Sequence, residues 1–450
     1  MATRRFQTDQ GWAWLVLFAA MLNQILTLGF SFVLSAYYVS WMNAFGANRS
    51  VTAWVGSVNT GMLYLVGPLT TSIVSRFGVR RTVIGASLLS ATGFIAGTFA
   101  QDIIVLIVFC GGVSGVGTGI GYIGGFAITG DYFEKWRGLA YGVASTGVGI
   151  APMFLAPLQQ YLIDSYTWRG ALLISAGVVL NGCVVGAIMR DPPVHHASMS
   201  FKEYLRRCCD SSLFRDANYI ILCLSNFMWG FGLSPVIVLF YDHLKGQGFT
   251  PEGASWAFTL WGILNVVGRL AAGFIIQTKL LHLCGFHVYY VSQIMTGISS
   301  VLLGIPGQSQ LHYNAMAGAG GFFFGIMMSA WPMSCVELFG QRHLLSAMGW
   351  LLMSIGAGYF TGAPVGGFLA DAAGSTPVAY YVGGSIIGVS GLVLLLLPHI
   401  SVKHYDDDDS ERAAQEADGS DRNQLQALPN GEPSAMSVLI EEKPVAETTT

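Results

Sequence analysis

The sequence is short of charge. Only 10% of its 450 residues are Asp, Glu, Lys or Arg, against about 25% in soluble domains. That shortage excludes an ordinary water-soluble globule, which needs a charged surface. Catalytic and metal-binding spacings are also lacking. The seven cysteines form no Cys-x-x-Cys pair, and Cys110, Cys183, Cys223 and Cys335 fall inside apolar runs, as small buried hydrophobes do. For Cys208 and Cys209, in a basic loop, palmitoylation and unmodified thiols both stay open. There is no H-E-x-x-H and no G-x-S-x-G. The Gly-rich run "GGVSGVGTGIGYIGG" (111–125) has no preceding strand and no Lys-Ser/Thr, so it is no phosphate loop. Nothing points to catalysis, a cofactor, a metal or nucleic acid. No cleavable leader is expected, because the apolar stretch after Arg4 and Arg5 is too long for one.

What is abundant is apolar. Hydrophobic residues make up 53% of the chain, there are 57 glycines, and mean hydropathy is +0.55. A spanning helix needs about 20 apolar residues. Twelve segments qualify, at roughly 12–40, 52–75, 82–100, 103–130, 138–163, 168–189, 218–243, 252–276, 284–304, 311–338, 343–370 and 377–397. The expected fold class is an all-α membrane protein of twelve transmembrane helices. Of the 22 Lys and Arg residues, 18 fall inside if the N-terminus is cytoplasmic, and only Arg49, Arg169 and Lys245 fall outside. The bias places both termini in the cytoplasm. The expected layout is a cytoplasmic segment 1–11, a six-helix half 12–189, a cytoplasmic loop 190–217, a second six-helix half 218–398 and a disordered acidic tail 399–450. "NRS" at Asn48 is a glycosylation sequon, expected to go unused so close to the bilayer.

The halves read as copies. Gly142, Gly149, Ala156, Pro157 and Asp164 recur as Gly349, Gly356, Ala363, Pro364 and Asp371, at one constant offset. Gly56 and Asn59 echo Gly262 and Asn265 more weakly. Parallel repeats of this kind belong to transporters whose halves rock about a central site.

One cation is out of place. Arg269 sits inside "WGILNVVGRLAAGF" (261–274), with Asn265 four residues earlier on the same helix face. An Arg at bilayer depth costs roughly 2.5–3.5 kcal/mol even on lenient scales, so it faces a cavity or a partner. Its planar fork of donors suits a carboxylate. Two roles stay open: anchor for a small organic anion, or structural pairing with helix-end carbonyls or with Asp131 or Glu337. Asn59 is a second intramembrane amide, open to ligand contact or to helix–helix bonding. Phe324 could line an apolar pocket or simply pack.

Two stretches carry a family resemblance. "DQGWAW" (Asp9, Trp12 and Trp14 within it) is similar to the acidic-Gly-Gly-Trp-Gly-Trp pattern before helix one of the monocarboxylate transporters, solute carrier family 16 of the major facilitator superfamily, with Gln10 in place of one glycine. "YFEKWRGLAYGVASTGVG" (132–149) resembles that family's helix-five motif, Arg137 matching its Arg. The likeness extends over residues 9 to 398. It implies a two-halved major facilitator fold. Arg269 matches the Arg that takes the substrate carboxylate, and Phe324 an aromatic that shapes specificity. The proton-handling Asp four residues before that Arg is Asn265 here, and the basic residue on helix one that many lactate-type members use is absent. "VSRFGVRR" (74–81), with Arg76, Arg80 and Arg81, resembles the superfamily's basic turn that latches the halves, with Ser75 where its acid stands.

The expectation is a plasma-membrane carrier for a monocarboxylate or related organic acid or zwitterion. It would work by alternating access, any link to H+ lacking the usual Asp. The candidate substrate contacts are Arg269, Asn265, Phe324 and Asn59. The alternative is a receptor-like sensor of the same fold. The resemblance adds one candidate partner, a single-span immunoglobulin-like protein for surface delivery.

Overall fold

All regular structure among the described residues is helical, as a bilayer demands of any chain that cannot close a barrel. A computed structural model describes residues 9–133, 136–190, 217–278 and 285–397. The expected loop 190–217 beyond Arg190, the tail, Arg4, Arg5, Cys208 and Cys209 lie outside them. So do the side chains of Asp131, Arg137 and Glu337.

The first rod is broken. α1 (Trp12–Gln24) passes through a π turn (Ile25–Gly29) into α2 (Phe30–Val33), then through a 3-10 turn (Leu34–Tyr37) into α3 (Tyr38–Phe45). Such interruptions aim side chains off the regular helical stripe. The next span is two helices, α4 (Arg49–Leu65) and α5 (Gly67–Phe77). Asn48 caps α4, accepting from the Val51 amide at 2.9 Å. α6 (Val79–Thr98) follows, then α7 (Ile103–Leu106), a π turn (Ile107–Val113) and α8 (Ser114–Tyr132). α9 (Arg137–Ile188) carries two expected spans, broken at Thr167 with φ 60° and ψ 171°. α10 (Ala217–Val238) and α11 (Phe240–Gly246) lead to α12 (Pro251–Thr278), α13 (Gly285–Leu303), α14 (Gln310–Ala372) and α15 (Pro377–Val393).

α14 is where sequence and structure differ most. Two spans were expected, yet helical bonding runs through all 63 residues. Straight, it would be about 95 Å long, three times the hydrocarbon thickness. It is not straight. Trp229 touches both Phe324 (ring centroids 6.2 Å) and Tyr359 (6.1 Å), which a straight helix would hold about 50 Å apart. α14 therefore doubles back as two arms, and the expected boundary is a bend rather than a loop. By length and hydropathy alone, four described stretches suffice to cross a bilayer: Trp12–Phe45, Ile103–Gly130, Ala140–Ile188 and Ala217–Val238. Pro377–Val393 is apolar but shorter.

Small residues set the helix crossings, as in membrane bundles generally. A Cβ on Gly262 of α12 would lie 2.6 Å from the Gly149 carbonyl of α9. A Cβ on Gly356 of α14 would lie 3.0 Å from the Gly61 carbonyl of α4. Gly149 and Gly356 are the repeat-related pair, and each meets a helix from the other expected half.

Candidate functional site

Arg269 is 4% exposed and Asn265 is fully buried. One helical turn apart, they share a face, and Arg269 Nε donates to Asn265 Oδ1 at 2.8 Å. No carboxylate and no second acceptor engages the guanidinium among the described residues. The neighbours are phenols: Tyr122 of α8 and Tyr64 of α4 lie within electrostatic reach of the charge. The charge thus stands desolvated beside neutral dipoles, where a carboxylate's attraction far exceeds its value in water. Asn265 Nδ2 is buried without a partner, so the amide holds the guanidinium and keeps its own donor in reserve.

From Arg269 an aromatic wall leads away. Tyr64 meets Tyr359 at 5.7 Å, Tyr359 meets Trp229 at 6.1 Å, and Trp229 stacks on Phe324 at 6.2 Å. Trp261 and Phe32 pack on Phe324 at 5.3 and 6.1 Å. Both expected halves contribute rings. Phe324 also lines a cavity of ≈ 20 Å³ with Trp261, Thr296 and Ser299, all from the second half; Arg269 is not part of that lining. The void lies within one half, away from the guanidinium that no described carboxylate pairs.

The other expected residues sort by position. Asn59 Nδ2 donates to Cys110 O at 2.9 Å and Ser114 Oγ at 2.7 Å. It staples α4 to the neighbouring π turn and α8, leaving only Oδ1 unpartnered. The Asp9–Trp14 stretch clasps helix ends instead of facing Arg269. Asp9 accepts from the Trp136 amide at 3.2 Å, Trp14 packs edge-on against Phe133 at 5.4 Å, and Arg190 sits 4.1 Å over the Trp12 ring. Arg76 lies 5.5 Å from the Phe77 centroid, and Arg80 and Arg81 are exposed. Sequence reading missed Tyr64, Tyr122, Trp229 and Tyr359, because an aromatic in an apolar helix gives no signal of the ring it will meet.

The Major Facilitator Superfamily profile matches residues 14–344 and 287–430. Monocarboxylate transporter 12 of Mus musculus is 27% identical over 415 residues, covering 86% of this chain and 85% of that one. Monocarboxylate transporter 4 of Rattus norvegicus is 29% identical over 397 residues, covering 86% and 83%. Among solved structures, the partially occluded inward-open xylose transporter XylE from E. coli matches with a TM-score of 0.67 at 12% identity, over 86% of this chain and 98% of that one. That likeness speaks to the fold alone.

Proposed function

Because the chain belongs to the monocarboxylate transporters of the major facilitator superfamily, its role is membrane transport, and we propose that Arg269 anchors its cargo, a monocarboxylate or related small organic acid or zwitterion. The observation that carries this reading is a guanidinium 4% exposed and held by a neutral amide. Removing one partner of a buried ion pair costs about 3–5 kcal/mol, and an arriving carboxylate recovers part of such a cost, less its own desolvation. The phenols of Tyr64 and Tyr122 add donors beside it, and the wall ending at Phe324 receives the apolar body of the cargo.

Transport proceeds by alternating access, the halves rocking across the Gly149–Gly262 and Gly61–Gly356 crossings. Binding must stay moderate in both states, since cargo held too well in one would not leave. Asn265 cannot take up a proton, so this site runs without the family's Asp relay, and H+ coupling would need another group. Both termini face the cytoplasm at the plasma membrane, and a single-span immunoglobulin-like partner is the candidate escort.

The test is uptake of labelled carboxylates, amino acids and small zwitterions into proteoliposomes at two pH values, with Arg269→Gln alongside. Accumulation of at least one acid by the native protein, lost in the variant, supports the reading. Binding without accumulation supports the receptor-like alternative instead.

A further inference from the structure

Three buried polar atoms without a hydrogen-bond partner, Ser31 Oγ, Trp41 Nε1 and Tyr359 Oη, belong to side chains that line one cavity of ≈ 10 Å³. Those residues are 5%, 1% and 1% exposed. Each orphaned group costs about 1–3 kcal/mol, so three around one small void call for an occupant. The void is near the lower limit for a single water, which wants two to four polar partners. Ser31 and Trp41 come from the first rod and Tyr359 from α14; Thr60 and Ile237 complete the wall between the expected halves.

The cavity stands between two charged places. Tyr38, also in its lining, donates from its hydroxyl to Arg49 O at 2.9 Å. Tyr359 meets Tyr64, which reaches Arg269. No carboxylate lines it and no fixed cation does. Trp41 can only donate, while Ser31 and Tyr359 can donate or accept. A neutral, largely apolar lining with three unpartnered polar atoms accepts an anion without holding it as firmly as a guanidinium would.

We propose that Ser31, Trp41 and Tyr359 form a hydrogen-bonding station for the cargo carboxylate on the passage between the Arg49 end of the protein and Arg269. One water fills it when the passage is closed. The station rests on the transport reading, so its test includes an arm that needs no flux.

That arm is chemical accessibility. Ser31→Cys and, separately, Tyr359→Cys are exposed to an anionic, membrane-impermeant methanethiosulfonate from the Arg49 side, with and without Arg49→Gln, the unsubstituted protein serving as the control. Both cysteines should react, faster with Arg49→Gln, and acetate, lactate or phenylacetate should slow the reaction. No labelling of either cysteine in either background overturns the proposal. So does labelling that none of these acids slows, which would leave a water-filled void only. In the flux arm, Trp41→Phe and Tyr359→Phe each remove one donor; the second keeps its ring, and the first puts a smaller phenyl in place of the indole. Each should raise KM from the Arg49 side about tenfold, the size of one hydrogen bond to a charged group, and leave KM from the opposite side within twofold. Equal shifts on both sides, or none, overturn the station even where Arg269→Gln abolishes uptake. A native protein that carries no acid removes the transport reading instead, and the labelling arm still decides the station.

Discussion

Arg49 and Asp242, 193 residues apart in sequence, meet at 2.7 Å between Nε and Oδ2. Arg49 Nη1 also lies 3.6 Å from Asp371 Oδ1, and the Asp371 carboxylate accepts from the Arg49 and Ser50 amides at 3.2 and 3.1 Å. The start of α4 is thereby fastened to α11 and to the far end of α14, the Asp371 carboxylate lying where the helix dipole favours an anion. Burial works against the Arg49 charge, yet the hydrogen bond to Asp242 and the surrounding charges outweigh it, and its pKa stands above the ordinary arginine value. A raised pKa on a base means stability present at every pH below its unfolded value, so Arg49 keeps its charge through the physiological range.

Breaking this clamp should be visible. Arg49→Gln leaves Asp242, 6% exposed, without its partner, at a cost of about 2 kcal/mol. Thermal unfolding in detergent should fall accordingly. Adding Asp242→Asn should recover part of the loss, because the orphaned charge is then gone. A double variant less stable than the single one would contradict the clamp.

Variants of Arg269 would tell a functional charge from a structural one. Arg269→Gln should abolish uptake yet unfold no earlier than the native protein, because it removes a desolvated charge that no described carboxylate balances. Arg269→Lys keeps the charge but loses the planar fork, and uptake should drop about tenfold or more. If Arg269→Gln lowers the unfolding temperature markedly, the guanidinium is structural.

The pH profile turns on Asn265. The native protein has no titratable group one turn before Arg269, so uptake of a fully ionised acid should be nearly flat between about pH 6 and pH 8. Asn265→Asp places a carboxylate against the guanidinium, where it competes with the cargo. KM should rise at pH 8 and recover as the pH falls and the new group is protonated. An unchanged profile in that variant would show that position 265 does not face the binding chemistry.

How much of this was legible beforehand depends on the kind of residue. A charge in an apolar run is conspicuous, so Arg269 could be found from its neighbours alone. Asn265 followed from helical spacing. Gly149 and Gly356 stood out through the repeat, and the structure gives them equivalent crossings. The clamp was not legible. Arg49 and Asp242 looked like ordinary residues at the ends of spans, and only the fold brings them together. The aromatic wall was hidden for a different reason, since Trp229 and Tyr359 are indistinguishable in sequence from lipid-facing aromatics such as Tyr161, which is 64% exposed. The two spans of α14 are told apart by their apolar runs, but the sequence does not distinguish a loop between them from a bend within one continuous helix.

On the proposed transport cycle, the glycine crossing would tie the site to the motion. A Cβ on Gly149 would stand 2.8 Å from Asn265 Oδ1, the atom that accepts from Arg269 Nε. A Cβ on Gly262 would stand 2.6 Å from the Gly149 carbonyl, and a backbone carbonyl cannot step aside as a flexible side chain can. Gly262→Ala should therefore push α12 from α9 and favour whichever state holds them apart, cutting uptake while the protein still reaches the membrane. Gly149→Ala should displace Asn265 and also weaken cargo binding, raising KM where Gly262→Ala mainly lowers the maximal rate. Gly177→Ala, where the added methyl meets nothing within 4 Å, is the control and should transport normally. Equal behaviour of all three variants would mean that the crossing is mere packing and that the halves do not move against each other there.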